Sequence, residues 1–239
     1  MSTSSDIRVA ELEAALGRVA RASAPAVLTS SLSAEDMVLT DVILRLHLDI
    51  EVVTIDTGRL HGDTLELLDA IRRRYDHHVR VYSPDPAAIA RYVSRRGRDA
   101  FYASPELRHE CCHIRKVEPL RRALRGRKGW VTGLRREQSA ARSVLPPHEF
   151  DDAYLVHKFN PLAEWLEGEV WEYLRSRSVP YNALYDQGYR SIGCAPCTRP
   201  VVAGEDARAG RWWWETGATK ECGLHVRPDG RIVRAVEAA

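Results

Sequence analysis

Short apolar runs that alternate with amphipathic stretches constrain this chain more than any other feature. The runs read AVLTSSL (26–32), EVVTIDT (51–57), HVRVYS (78–83) and GWVTGL (129–134). The stretches between and after them, 34–48, 60–75, 86–96 and 107–124, carry apolar residues at helical spacing. Strand then helix, repeated, predicts an α/β fold: a doubly wound, mostly parallel sheet covered on both faces. Such sheets bind ligands at the carboxyl ends of their strands. The loops after Leu32, Ile55, Ser83 and Thr132 are therefore expected to build the site. One more short strand is expected within 155–165 and a helix over 167–177, while 205–239 carries little periodicity.

The bulk numbers exclude several classes. A net charge of +2 gives no global field for nucleic acid or a membrane surface. The opening MSTSSDIRVAELEAAL reads as a polar N-cap and an amphipathic helix, not a signal peptide. No run is apolar and long enough to span a bilayer. A cytoplasmic chain is expected, where thiols stay reduced. The odd number of cysteines, 5, also argues against a disulfide framework.

The thiols fall into three groups: Cys111-Cys112 in ECCHIRK, Cys194 and Cys197 in GCAPCTRP, and Cys222 alone in KECGLH. A C-x-x-C with an internal proline aims two sulfurs the same way. Joined by two cysteines from a distant helix, it makes a four-thiolate cage suited to zinc or an iron–sulfur cluster. Adjacent ligands diverge, which fits several irons better than one small ion. A redox C-x-x-C with two buried bystander thiols remains the third reading. His109 reads as a donor on the substrate side and His113 as an ordinary helix residue. Lys220 and His225 place positive charge beside Cys222, which raises its thiolate fraction.

Three polar clusters sit at strand ends. TSSLSAED brings Ser31, Ser33, Glu35 and Asp36 to a helix N-terminus, where N–H groups can surround a phosphate. Taken alone it reads as a serine N-cap with two acidic residues in the first turn. DTGRL contributes Thr57 and Gly58, and TGLRREQSAAR contributes Gly133, Arg136 and Arg142. Three such clusters favour a nucleotide pocket over three separate caps. Arg135 is expected at the surface.

Together these motifs resemble the assimilatory adenylyl-sulfate (APS) reductases of the phosphoadenylyl-sulfate (PAPS) reductase family. The matching stretches are SLSAED, DTGRL, CCHIRKVEPL, TGLRREQSAARS, the CAPC cysteines, RAGRWWWE and KECGLH, in the family's order from Ser31 to His225. The resemblance implies an adenine-nucleotide alpha hydrolase-like fold. It implies a [4Fe–4S] cluster on Cys111, Cys112, Cys194 and Cys197, Cys222 as nucleophile, and thioredoxin as electron donor. It implies an α/β nucleotide and cluster domain over 1–204 and a mobile C-terminal segment over 205–239 that closes on the substrate. All four cluster cysteines point to APS, with PAPS or dual specificity as the alternative. The first loop departs from many APS reductases, which carry an aromatic residue and an extra glycine there.

If 111–116 is helical, Cys112 and Lys116 lie one turn apart, and Lys116 can sit between cluster and sulfate. Arg136, Arg142, Arg208 and Arg211 are the expected clamps on phosphate and sulfate, with Glu215 and His225 shaping the Cys222 environment. Trp212, Trp213 and Trp214 are read as packing for the final segment. Two rivals belong to other classes. A tRNA-acting ATP pyrophosphatase would carry an SGGxDS loop, absent here, and an iron–sulfur sensor would need neither a nucleotide loop nor Cys222. Assembly as a homo-oligomer is compatible with the sequence.

Overall fold

The computed structural model of the protein describes residues 4–139 and 142–215. Helix α1 (Ser4–Ala22) leads into β1 (Ala26–Ser30), α2 (Ala34–Arg45), β2 (Ile50–Ile55), α3 (Gly62–Tyr75), β3 (Arg80–Tyr82) and α4 (Pro86–Arg96). Then come α5 (Pro105–Cys112), a π-turn (His113–Val117), α6 (Glu118–Leu124) and β4 (Gly129–Val131). β5 (His148–Asp151), β6 (Val156–Phe159) and α7 (Glu167–Ser176) follow. The sheet order is β3-β2-β1-β4-β6-β5, parallel throughout except for β5 against β6.

Strand alternation sorts the core into two layers. Leu28 and Val52 face one side, packed on α1, α2, α3 and α7, and Val27 and Val53 face the other, packed on α6 and Trp130. Both faces are covered, as the unbroken apolar runs required. A third cluster gathers Tyr92, Phe101 and Trp212 around Cys111, Cys194 and Cys197.

Two local features differ from the expected pattern. Strand β5 had no apolar run to announce it: HEFD is half charged, and it pairs as an antiparallel edge. The stretch 107–124 is not one regular helix. A π-turn widens it, with Glu118 N–H donating to the carbonyl of His113 five residues back. Such turns recur at functional sites because they re-aim neighbouring side chains. Here the π-turn carries Arg115 and Lys116.

No helix among the described residues is long and apolar enough to cross a membrane.

Candidate active site

A cavity of about 260 Å³ opens at the carboxyl ends of β1, β2 and β4. The loops after β1, β2 and β4 line it; the loop after β3 does not. Strand β3 is the edge of the sheet, so its end lies away from the crevice.

The β1 loop is drawn tight by Asp36. Ser31 donates its backbone N–H and its hydroxyl to Asp36 Oδ2, at 2.6 and 2.7 Å. Leu32 takes a left-handed φ of 61° and donates its N–H to Ser30 Oγ at 3.1 Å. Burial pushes the Asp36 carboxyl up to about 6, against the two Ser31 hydrogen bonds that favour its charged form. Ser33 is the N-cap of α2, but its side chain makes no cap hydrogen bond and lines the cavity. Gly133, in the β4 loop, lies against this turn: a Cβ there would stand 2.4 Å from Asp36 Oδ1.

Two arginines exchange their expected places. Arg135 is buried, not at the surface: its Nε meets Glu35 Oε1 at 2.9 Å and its Nη1 meets Glu137 Oε2 at 2.7 Å. The buried Glu35 carboxylate needs such a partner, because an unpaired charge inside is costly. Arg136 turns away from the cavity, with Nε on the Leu145 carbonyl at 2.9 Å and Nη1 on Glu164 at 3.2 Å. Arg142, Arg208 and Arg211 do line the cavity. Arg211 is 6% exposed and lies over the Trp212 ring at 4.6 Å. Its Nη1 holds the Ile192 carbonyl at 3.1 Å, and its Nε has no acceptor among the described residues. Gly193 makes room for it, since a Cβ there would fall 2.5 Å from Arg211 Nη2.

A second, small cavity of about 20 Å³ adjoins the first. Cys111, Cys112, Cys194 and Cys197 all line it, with Arg59, Arg108, Arg115 and Lys116 around them. All four thiols are buried, and none of them forms a disulfide among the described residues. Pro196 sits inside the 3-10 turn Ala195–Cys197, which Ala195 N–H anchors to the Arg59 carbonyl at 2.8 Å. Burial raises the Cys111 thiol and pushes Cys197 up to about 12, with Arg115 and Lys116 respectively pulling back. Among the described residues no three His, Cys, Asp or Glu side chains are spaced to hold a metal ion. The four cysteines line one space ringed by positive side chains, a soft thiolate donor set that suits zinc or an iron–sulfur cluster.

The two cavities share walls. Lys116 and Trp212 line both. Thr57, a wall of the larger cavity, has its Oγ1 3.2 Å from Cys194 Sγ, and its carbonyl accepts Arg115 Nη1 at 2.6 Å. Gly58, at φ 69°, shapes this turn without lining the cavity. His109 lines neither cavity; burial and the nearby Arg108 hold its pKa below the ordinary value. Glu215 is bound to Arg108 at 2.5 Å, and Trp212 N–H donates to the Cys197 carbonyl at 3.1 Å. Trp212 is thus packing, as expected, but also a cavity wall, while Trp213 is 40% exposed. Cys222 and His225 lie outside the described residues. Sequence reasoning passed over Arg59, Arg108, Trp171 and Tyr185. Arg59 carried a signal, its place in DTGRL; the other three sit in stretches with no motif chemistry of their own.

Comparison with known proteins agrees with this geometry. An adenosine 5'-phosphosulfate reductase of Allochromatium vinosum is 56% identical over 212 residues, 89% of this chain and 83% of that protein. A protein of the same name from Burkholderia cepacia is 50% identical, over 92% of this chain and 88% of its own length. The crystal structure of PAPS reductase from Candida auris, a phosphate complex, superposes with a TM-score of 0.64 at 25% identity, covering 82% of this chain and 98% of that one. This places the sheet among the adenine-nucleotide alpha hydrolase-like folds. The model of the phosphoadenosine phosphosulfate reductase domain matches residues 25–200, which contain every loop of both cavities except the stretch around Arg208 and Trp212, and the chain belongs to that family.

Proposed function

We propose that this chain reduces adenosine 5'-phosphosulfate to sulfite and AMP, as the first step of sulfate reduction for assimilation. The observation that carries the reading is the position of Lys116, a wall of both the nucleotide cavity and the cysteine cavity. A sensor would need no such junction. The names of the similar reductases support APS as substrate.

Cys111, Cys112, Cys194 and Cys197 would hold a [4Fe–4S] cluster: four thiols face one space, ringed by cations that offset the anionic charge of such a group. When bound, the cluster supplies fixed charge beside Lys116 rather than electrons for the reaction. The Cys222 thiolate attacks the sulfur of APS. The S–O bond to the phosphate breaks, AMP leaves with the electron pair, and Cys222 carries an S-sulfonate. A thioredoxin thiolate then attacks Cys222 Sγ. Sulfite departs with the S–S electron pair, and the second thioredoxin thiol resolves the mixed disulfide. Thioredoxin is oxidised and the sulfur reduced by two electrons.

The Lys116 ammonium faces the sulfate and stabilises negative charge as it shifts to the leaving oxygens. Arg142, Arg208 and Arg211 supply further positive charge along the cavity wall. The stretch that precedes Cys222 is fastened to the cysteine cavity by Arg108–Glu215 and by Trp212 on Cys197.

The test is sulfite release by anaerobically purified protein with thioredoxin, using APS and PAPS in parallel. Rapid turnover of APS with bound iron is expected. Turnover of PAPS alone would move the chain to the other specificity, and activity with neither would end the proposal.

A further inference from the structure

We infer that the Tyr185 hydroxyl donates a hydrogen bond to the α-phosphate of the bound nucleotide, oriented by the first turn of α2. The inference rests on the nucleotide reading above and adds a residue to it. Tyr185 enters the cavity from the 3-10 turn Ala183–Gln187. Its ring meets Trp171 edge-on at 5.0 Å.

The phenol oxygen accepts the N–H of Ala34 at 3.0 Å. Ala34 opens α2, so this N–H belongs to the turn that has no intrahelical acceptors. A phenol also has one proton to give. Because the oxygen already accepts from Ala34, that proton points elsewhere, and it meets no acceptor among the described residues. The nearest carboxylates are taken: Glu35 by Arg135 and Asp36 by Ser31. Burial and those two carboxylates raise the tyrosine pKa, so the group stays a donor at working pH.

The helix N-terminus beside it favours an anion, and the hydroxyl adds one more donor to that end. Lys116 lies where the nucleotide cavity meets the cysteine cavity, whereas Tyr185 lines the nucleotide cavity alone. The sulfate belongs near Lys116, which leaves the phosphate for α2 and Tyr185.

Tyr185→Phe in the full-length, iron-loaded chain removes only the hydroxyl and keeps the ring on Trp171. AMP affinity, read by calorimetry, is expected to fall ~10-fold, the scale of one hydrogen bond to a charged group. The KM for APS should rise by the same factor with kcat changed less than about twofold, the mark of lost ground-state binding. Unchanged AMP affinity in a variant with native circular dichroism overturns the inference, even if its thermal stability falls. A raised KM for APS with AMP affinity intact also overturns it, since the donor would then serve the sulfate. A wild-type chain that binds AMP but makes no sulfite contradicts the proposed function, and Tyr185 is then judged on AMP affinity alone.

Discussion

Thr57 Oγ1 stands 3.2 Å from Cys194 Sγ, so one threonine of the loop after β2 lines the larger cavity and touches a wall residue of the cysteine cavity. Hydrogen bonds to cluster sulfurs tune potential. Thr57→Val keeps the shape and removes the hydroxyl. Iron content should be unchanged, the reduction potential of the bound cluster should shift, and turnover should fall by roughly 5–10-fold, as for one modest hydrogen bond. Iron analysis with spectroelectrochemistry checks this; an unaltered potential would separate the two cavities.

Lys116→Ala removes the cation that lines both cavities. Loss of a preorganised charge at a reacting group costs on the order of 100-fold or more in kcat. The cluster's visible absorbance should survive, because no cysteine is touched. Normal turnover would exclude the role given to Lys116.

The exchanged arginines make a paired comparison. Arg135→Ala leaves Glu35 buried without its partner, and breaking a buried pair costs about 3–5 kcal/mol. Arg136→Ala loses a half-exposed contact to Glu164 and should cost less than about 1 kcal/mol. Denaturant unfolding of both variants checks the order. Equal losses would contradict the buried placement of Arg135.

Asp36 gives a pH signature. Its folded pKa, about 6, lies above the ordinary 3.8. A raised carboxylate binds its proton more tightly when folded, so its contribution is favourable below the ordinary pKa and is lost as pH rises through about 6. The difference of roughly 2 pKa units corresponds to about 3 kcal/mol at most. Asp36→Asn can still accept from Ser31 and cannot ionise. Relative to wild type its stability should rise from about pH 4 to about pH 6 and level off above that. A stability difference that does not vary with pH would contradict the buried carboxyl.

Much of this was legible in the sequence because it depends on period and spacing. The helix over 86–96 lies where its Asp-Pro start and Gly97 end put it, with Asp85 capping Ala87 N–H at 3.0 Å. The strand-end loops identified three of the walls of the nucleotide cavity, and C-x-x-C with the adjacent pair identified the other cavity. What escaped depends on tertiary partners. Nothing local separates Arg135 from Arg136; only the buried Glu35 decides which one turns inward. Tyr185 was invisible because its importance lies in contact with α2, whose first turn is 151 residues away along the chain, and Trp171 because its importance lies in contact with Tyr185. The π-turn at 113–117 leaves no composition mark that distinguishes it from an ordinary helix.

Intact-mass analysis after a single turnover with APS, without thioredoxin, tests the central claim most directly. The account expects one SO3 unit on the chain, located at Cys222 by fragmentation, and none on Cys222→Ser. Sulfite formed with no adduct, or an adduct that persists when Cys222 is replaced, would contradict it.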